Sequence, residues 1–119
     1  MRRAIALLVL FAGCSPEHPK PVPATPSALP RVLFLTHSAG FRHDVLPLAQ
    51  TQLKEALRGS FEVDATEDCG TITKENLARY SAVVFYTSGE LPIDREALFD
   101  YVKGGGGFAG IHSATDTLH

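Results

Sequence analysis

Cysteine is scarce in this sequence: Cys14 and Cys69 are the two in 119 residues. A disulfide framework of the kind that staples small secreted domains is therefore excluded. Cys69 is flanked by the acidic Glu67 and Asp68, which do nothing to favour a thiolate, so it reads as an inert, partly buried residue rather than a reactive thiol. Basic charge is also short. Eleven Lys and Arg face thirteen Asp and Glu, a formal net charge of -2, and Arg2 and Arg3 are two of the eleven. No basic face remains for a phosphate backbone, so nucleic acid is not an expected partner. The apolar run Ala4–Ala12 has nine residues, far short of the roughly 20 that a bilayer span needs. What is present is the composition of one globular domain, 45% hydrophobic and 20% charged.

The chain divides into three parts. Arg2 and Arg3, the apolar AIALLVLFA and the small Gly13 have the order of a signal peptide over residues 1–13. Its ending, FAGC, resembles the lipobox of bacterial lipoproteins, with Phe11 where that pattern has Leu, Val or Ile. The resemblance implies that Cys14 is lipidated and begins the mature chain. The segment SPEHPKPVPATPSALP follows, with six prolines in sixteen residues. At ~3.1 Å per residue such a tether reaches about 50 Å. Residues 14–30 thus read as a lipidated cysteine and spacer, and residues 31–119 as the folded domain. The expected location is the bacterial cell envelope, anchored by lipid and facing the periplasm or the exterior.

From Arg31 the pattern alternates between strand and helix. VLFLTH (Val32 to His37) is an apolar run with a polar end, as a strand buried on both faces of a parallel sheet requires. Asp44 is placed to cap a helix to about Arg58, with Val45, Leu48, Ala49, Leu53, Ala56 and Leu57 on one face and Gly59 as its stop. FEVDATE is the second strand, Thr73 caps a short helix through Arg79, AVVFYTS is the third strand, and Asp94 caps a helix to Lys103. Gly107 to Ile111 is the fourth strand. Short strand–helix repeats imply right-handed crossovers, and the expected fold is α/β, a flavodoxin-like open parallel sheet of order 2-1-3-4 with helices on both faces. Gly105-x-Gly107-x-x-Gly110 spells a dinucleotide fingerprint, yet it follows a helix and opens a strand, the reverse of what pyrophosphate binding needs. Gly104 reads instead as a left-handed helix cap.

Polar residues collect at the carboxyl ends of these strands, where open α/β sheets bind ligands. His37 and Ser38 end the first strand, Thr87, Ser88 and Gly89 the third, and His112 the fourth; the loop HSAGFRHD adds Phe41, Arg42 and His43. Ser38 and Asp44 equally suit turn and cap roles, Phe41 a staple beneath the first helix, and Arg42 and His43 a solvated surface. His112 stands apart. Gly110-Ile111-His112-Ser113-Ala114 has the small-x-X-x-small spacing of a nucleophile elbow, the sharp strand-to-helix turn that presents a reactive side chain. Asp116, one helical turn further on, could orient its imidazole. Together with His37 or His43 the pair could form a two-His-one-carboxylate site for a divalent metal; no other cofactor is evident.

The segments THSAGFRHD and GGGGFAGIHSATD, with FEVDATED between them, resemble the ThuA-like trehalose-utilisation domain of the class I glutamine amidotransferase-like superfamily. In amidotransferases the elbow carries a Cys that attacks an amide, and here His112 stands there, so the resemblance implies no glutaminase. It implies a small-molecule carbohydrate partner, trehalose-related or oxidised, and the strand-end pattern then reads as its site, with His112 and Asp116 catalytic and with His37, Ser38, Phe41, Arg42, His43 and Ser88 binding substrate. A hydrolase, lyase or isomerase is the expected enzyme class, and a non-catalytic sugar-binding module on a lipoprotein stalk the alternative. Domains of that family are longer than this stretch, which implies truncation at the C-terminus.

Overall fold

The computed structural model describes residues 28–118. The signal segment, Cys14 and most of the tether lie outside the described residues. Four strands form one all-parallel sheet of order β2-β1-β3-β4: β1 (Arg31–Leu35), β2 (Glu62–Thr66), β3 (Ala82–Phe85) and β4 (Gly107–Gly110). Three helices connect them, α1 (Leu46–Ala56), α2 (Lys74–Leu77) and α3 (Arg95–Lys103). The order and direction are those expected from the alternating pattern. None of these helices is long and apolar enough to cross a membrane.

Alternation along the central strand explains the layers. Side chains of a strand point to opposite faces in turn, so Leu33 and Leu35 of β1 join Val83 and Phe85 of β3 on one face. They pack there with Ile72, Leu77, Leu91, Ala97 and Leu98 from the α2 and α3 side. Phe34 points to the opposite face, toward α1, and is fully buried. Each such aromatic or aliphatic side chain contributes about 1.5–3 kcal/mol on burial.

Helix caps follow the sequence in two cases and not in the third. Thr73 Oγ1 accepts from Asn76 N at 3.2 Å, and Asp94 Oδ1 accepts from Ala97 N at 2.9 Å. Asp44 does not cap α1. The N-cap is Val45, in helical conformation and without a side-chain bond, and proline stands in the first turn. Pro47 fixes its own φ and lacks an N–H, so the helix starts without needing a capping oxygen there. The buried face shifts accordingly: Leu46 is fully buried, whereas Val45 and Leu48 are exposed. Gly104 keeps a right-handed φ of -74°, and the left-handed residue is Gly105 at +99°. The helix ends at Lys103 as expected, and the left-handed residue stands one position later than the cap reading places it.

The edges of the sheet differ. On β2, Glu62 and Asp64 form ion pairs with Arg31. On β4 no charged residue is present, and Phe108 is 49% exposed.

Candidate functional site at the carboxyl edge

Strand order reverses between the parallel neighbours β1 and β3, and the segments leaving these strands remain paired. Ser38 and Ser88 make an isolated parallel bridge, as do Gly89 and Thr117. The loop after β1 is fastened to the end of β3 by three bonds: Ala39 N and Gly40 N donate to Ser88 O at 2.9 and 3.1 Å, and Ser88 Oγ donates to Phe41 O at 2.6 Å. Gly89, at φ +74°, allows this approach, because a Cβ there would stand 2.6 Å from Gly40 N. Ser88 is therefore buried and spends its hydroxyl on the loop. Its place is beneath the rim, not on it.

The same loop is held a second time, from β2. Arg42 donates from both terminal nitrogens to the two carboxylate oxygens of Glu67 at 2.8 Å each. Such fork-to-fork pairs are the geometrically specific form of ion pair. These hydrogen bonds, with the guanidinium charge and that of His37 adding to them, hold the Glu67 carboxyl below the ordinary carboxylate range. The Nδ1 of His37 lies 3.0 Å from the carbonyl oxygen of Glu67, and since a carbonyl oxygen only accepts, the proton of that bond is on Nδ1. His37 and Arg42 thus both engage Glu67.

Directly after these two fastenings the loop presents His43. Its ring centroid is 5.0 Å from that of His112 and 6.0 Å from that of Tyr86, and Tyr86 is 6.3 Å from His112. Phe41 meets His43 edge-on at 4.9 Å and is 73% exposed, so it is no staple under α1. His112 is exposed and has φ +49°, a left-handed conformation uncommon for residues other than glycine, though His is among those that adopt it. A Cβ on Gly110 would stand 3.2 Å from the Ala114 Cβ, so the positions two before and two after His112 do face each other across a tight turn. Backbone strain of this kind gathers at functional sites.

The turn continues as a 3₁₀ helix, His112–Asp116, not an α-helix. With three residues per turn, positions i and i+3 eclipse while i+4 is rotated away, so Asp116 does not share a face with His112 in the manner expected. Asp116 accepts from Gly89 N at its backbone oxygen, 2.8 Å, and Thr87 and Thr117 hydroxyls meet at 2.8 Å; the segment after His112 is thereby tied to β3. Among the described residues no three of His, Cys, Asp and Glu gather as a metal ion would require, so the two-His-one-carboxylate arrangement is not formed. Cys69 is buried away from the rim, and burial, with Asp68 adding, raises its thiol pKa.

Two participants escaped the sequence pattern. Tyr86 reads as one more apolar residue of a strand, and Glu67 as a polar strand end; only the parallel register, which sets Thr66 beside Leu35, brings Glu67 level with the loop. An apolar groove of about 300 Å³ lined by Phe34, Leu53, Tyr86 and Ile111, among others, adjoins the imidazoles through Tyr86. The imidazoles themselves stand on the open rim and do not line that groove.

The arrangement can be set beside known proteins. No curated protein matches the chain. A crystal structure of a ThuA-like protein from Bacteroides uniformis superposes with a TM-score of 0.61 at 25% identity, over 79% of this chain and 41% of that one. This chain thus spans less than half the length of that relative. The family model described as ThuA, trehalose utilisation, matches residues 31–119, the whole stretch that carries the sheet, the Glu67 clasp and the His112 turn, and the chain belongs to that family.

Proposed function

We propose that this is a carbohydrate-acting ThuA domain of an envelope lipoprotein, with His112 as its central side chain. The observation that carries the reading is the left-handed backbone of an exposed His112, 5.0 Å from His43 across the edge where β1, β3 and β4 end. A non-glycine residue in that conformation costs stability, of order 1–2 kcal/mol by the general steric argument, and the turn retains it. In this position the imidazole serves as general base toward a sugar hydroxyl or carbon-bound proton. His43 faces it and handles the second proton. Phe41, exposed beside His43, offers an apolar ring face to the sugar. Arg42 is occupied by Glu67 and acts by holding the loop. The family description, trehalose utilisation, supports a trehalose-related substrate; the lipid anchor is supported by the residues FAGC ahead of the tether.

Incubation of the protein with trehalose and with its oxidised derivatives, followed by NMR of the sugar, tests this. The expected outcome is conversion by the wild type, and in His112→Ala bound sugar without conversion. Binding without conversion by the wild type, lost in His112→Ala, would mark a sugar-binding module instead. No binding by either protein contradicts both.

A further inference from the structure

We propose that Glu67, a residue no motif singles out, is the positioning residue of the site: through its clasp on Arg42 it sets His43 against His112. The inference rests on the reading of the imidazole pair as the functional centre. It is carried by the way the loop is held. The loop from His37 to Asp44 contains no helix or strand of its own, and ordering such a segment costs about 1–2 kcal/mol of backbone entropy per residue. On its β3 side Ser88 takes up the backbone of Ala39, Gly40 and Phe41. These bonds stop at Phe41. Beyond it, the backbone bond that ties His43 is a long one, 3.3 Å, from Leu46 N at the start of α1 to His43 O.

The side-chain tie on that stretch is Arg42 to Glu67, and its geometry is directional. Two parallel bonds of 2.8 Å fix the guanidinium plane and not merely its charge. Glu67 is itself anchored: it directly follows β2, and its carbonyl oxygen receives the His37 Nδ1 at 3.0 Å. One residue therefore links the ends of β1 and β2 and the residue adjoining His43. Loosening it frees His43 relative to His112 while the Ser88 bonds keep the rest of the loop in place. The pair is solvent-exposed, with side chains 52% and 42% accessible, so its role lies in direction more than in global stability.

The test is the contact between the two rings in the full chain, labelled selectively at histidine and read by the nuclear Overhauser effect between the His43 and His112 ring protons. The wild type is expected to show it. Glu67→Gln and Arg42→Gln, two variants that approach the clasp from opposite sides, should each reduce it at least twofold, with the amide spectrum of the sheet unchanged. The charge-swapped pair Arg42→Glu with Glu67→Arg should restore it. An effect that survives in both single variants overturns the clasp, and so does a loss that the swap fails to restore. Its absence from the wild type instead overturns the imidazole pair, and with it the functional reading.

Discussion

His112 holds a φ of +49° that a glycine would hold without a Cβ conflict. Replacing it by glycine removes the steric cost and adds some unfolded-state entropy, so His112→Gly should raise stability by about 0.5–1 kcal/mol while abolishing activity. Urea unfolding checks the first half; a destabilised variant would mean that the ring, not the turn, supports the local fold. At Glu67 the expectation concerns pH. Its carboxyl titrates below the ordinary range because Arg42 hydrogen-bonds the charged form. A lowered folded-state value means that the clasp contributes its full share above the unfolded carboxylate value and loses it as pH falls through the folded one. The carboxyl carbon resonance of Glu67 should therefore titrate below that of an unpaired glutamate, and Arg42→Gln should return it upward. His37 and Arg42 are the charged neighbours that act on it; an unmoved midpoint in the variant would show that the pair is not formed in solution. The sequence made the tight turn at His112 legible through the spacing of Gly110 and Ala114, because such a turn is a local steric pattern. It hid Glu67, because that role arises from register between strands thirty residues apart in the chain.

Elements show the same division between local and non-local information. β1, β3 and α3 were legible as apolar runs and a capped helix, and the sheet has the flavodoxin-like order expected for such repeats. Two local readings failed for a reason of their own. Asp44 is a good capping residue in isolation, but Pro47 sets the start of α1. The turn after β4 looks helical over His112 to Asp116 and is a 3₁₀ helix, which rotates Asp116 off the His112 face. Clearance in that turn is a property of the element as a whole. Gly110→Val would press a branched side chain toward the Ala114 Cβ, 3.2 Å from where a Cβ already stands. A loss of about 1–3 kcal/mol is expected from overpacking of this kind, read as a lower thermal midpoint. A neutral substitution would show that the turn can open without harm.

At the scale of the molecule, the two sheet edges set how the chain behaves in solution. Charges guard β2, whereas β4 carries Phe108 with Phe99 and Val102 exposed on the helix that precedes it. An uncharged edge strand beside exposed aromatic residues favours association between chains. Phe108→Lys is therefore expected to lower the light scattering of the purified protein at a given concentration; unchanged scattering would place the association elsewhere. The FAGC reading makes its own demand on the whole chain: radiolabelled palmitate should enter the protein in a bacterial host and fail to enter Cys14→Ala, and label persisting in the variant would remove the anchor. The central claim, that the carboxyl edge around His112 is where a sugar meets this protein, has the most direct test in a titration of the wild type with trehalose followed through the histidine ring resonances. Saturable shifts of the His43 and His112 rings are the predicted result. Rings of His43 and His112 that both stay unmoved up to the highest trehalose concentration would contradict the claim.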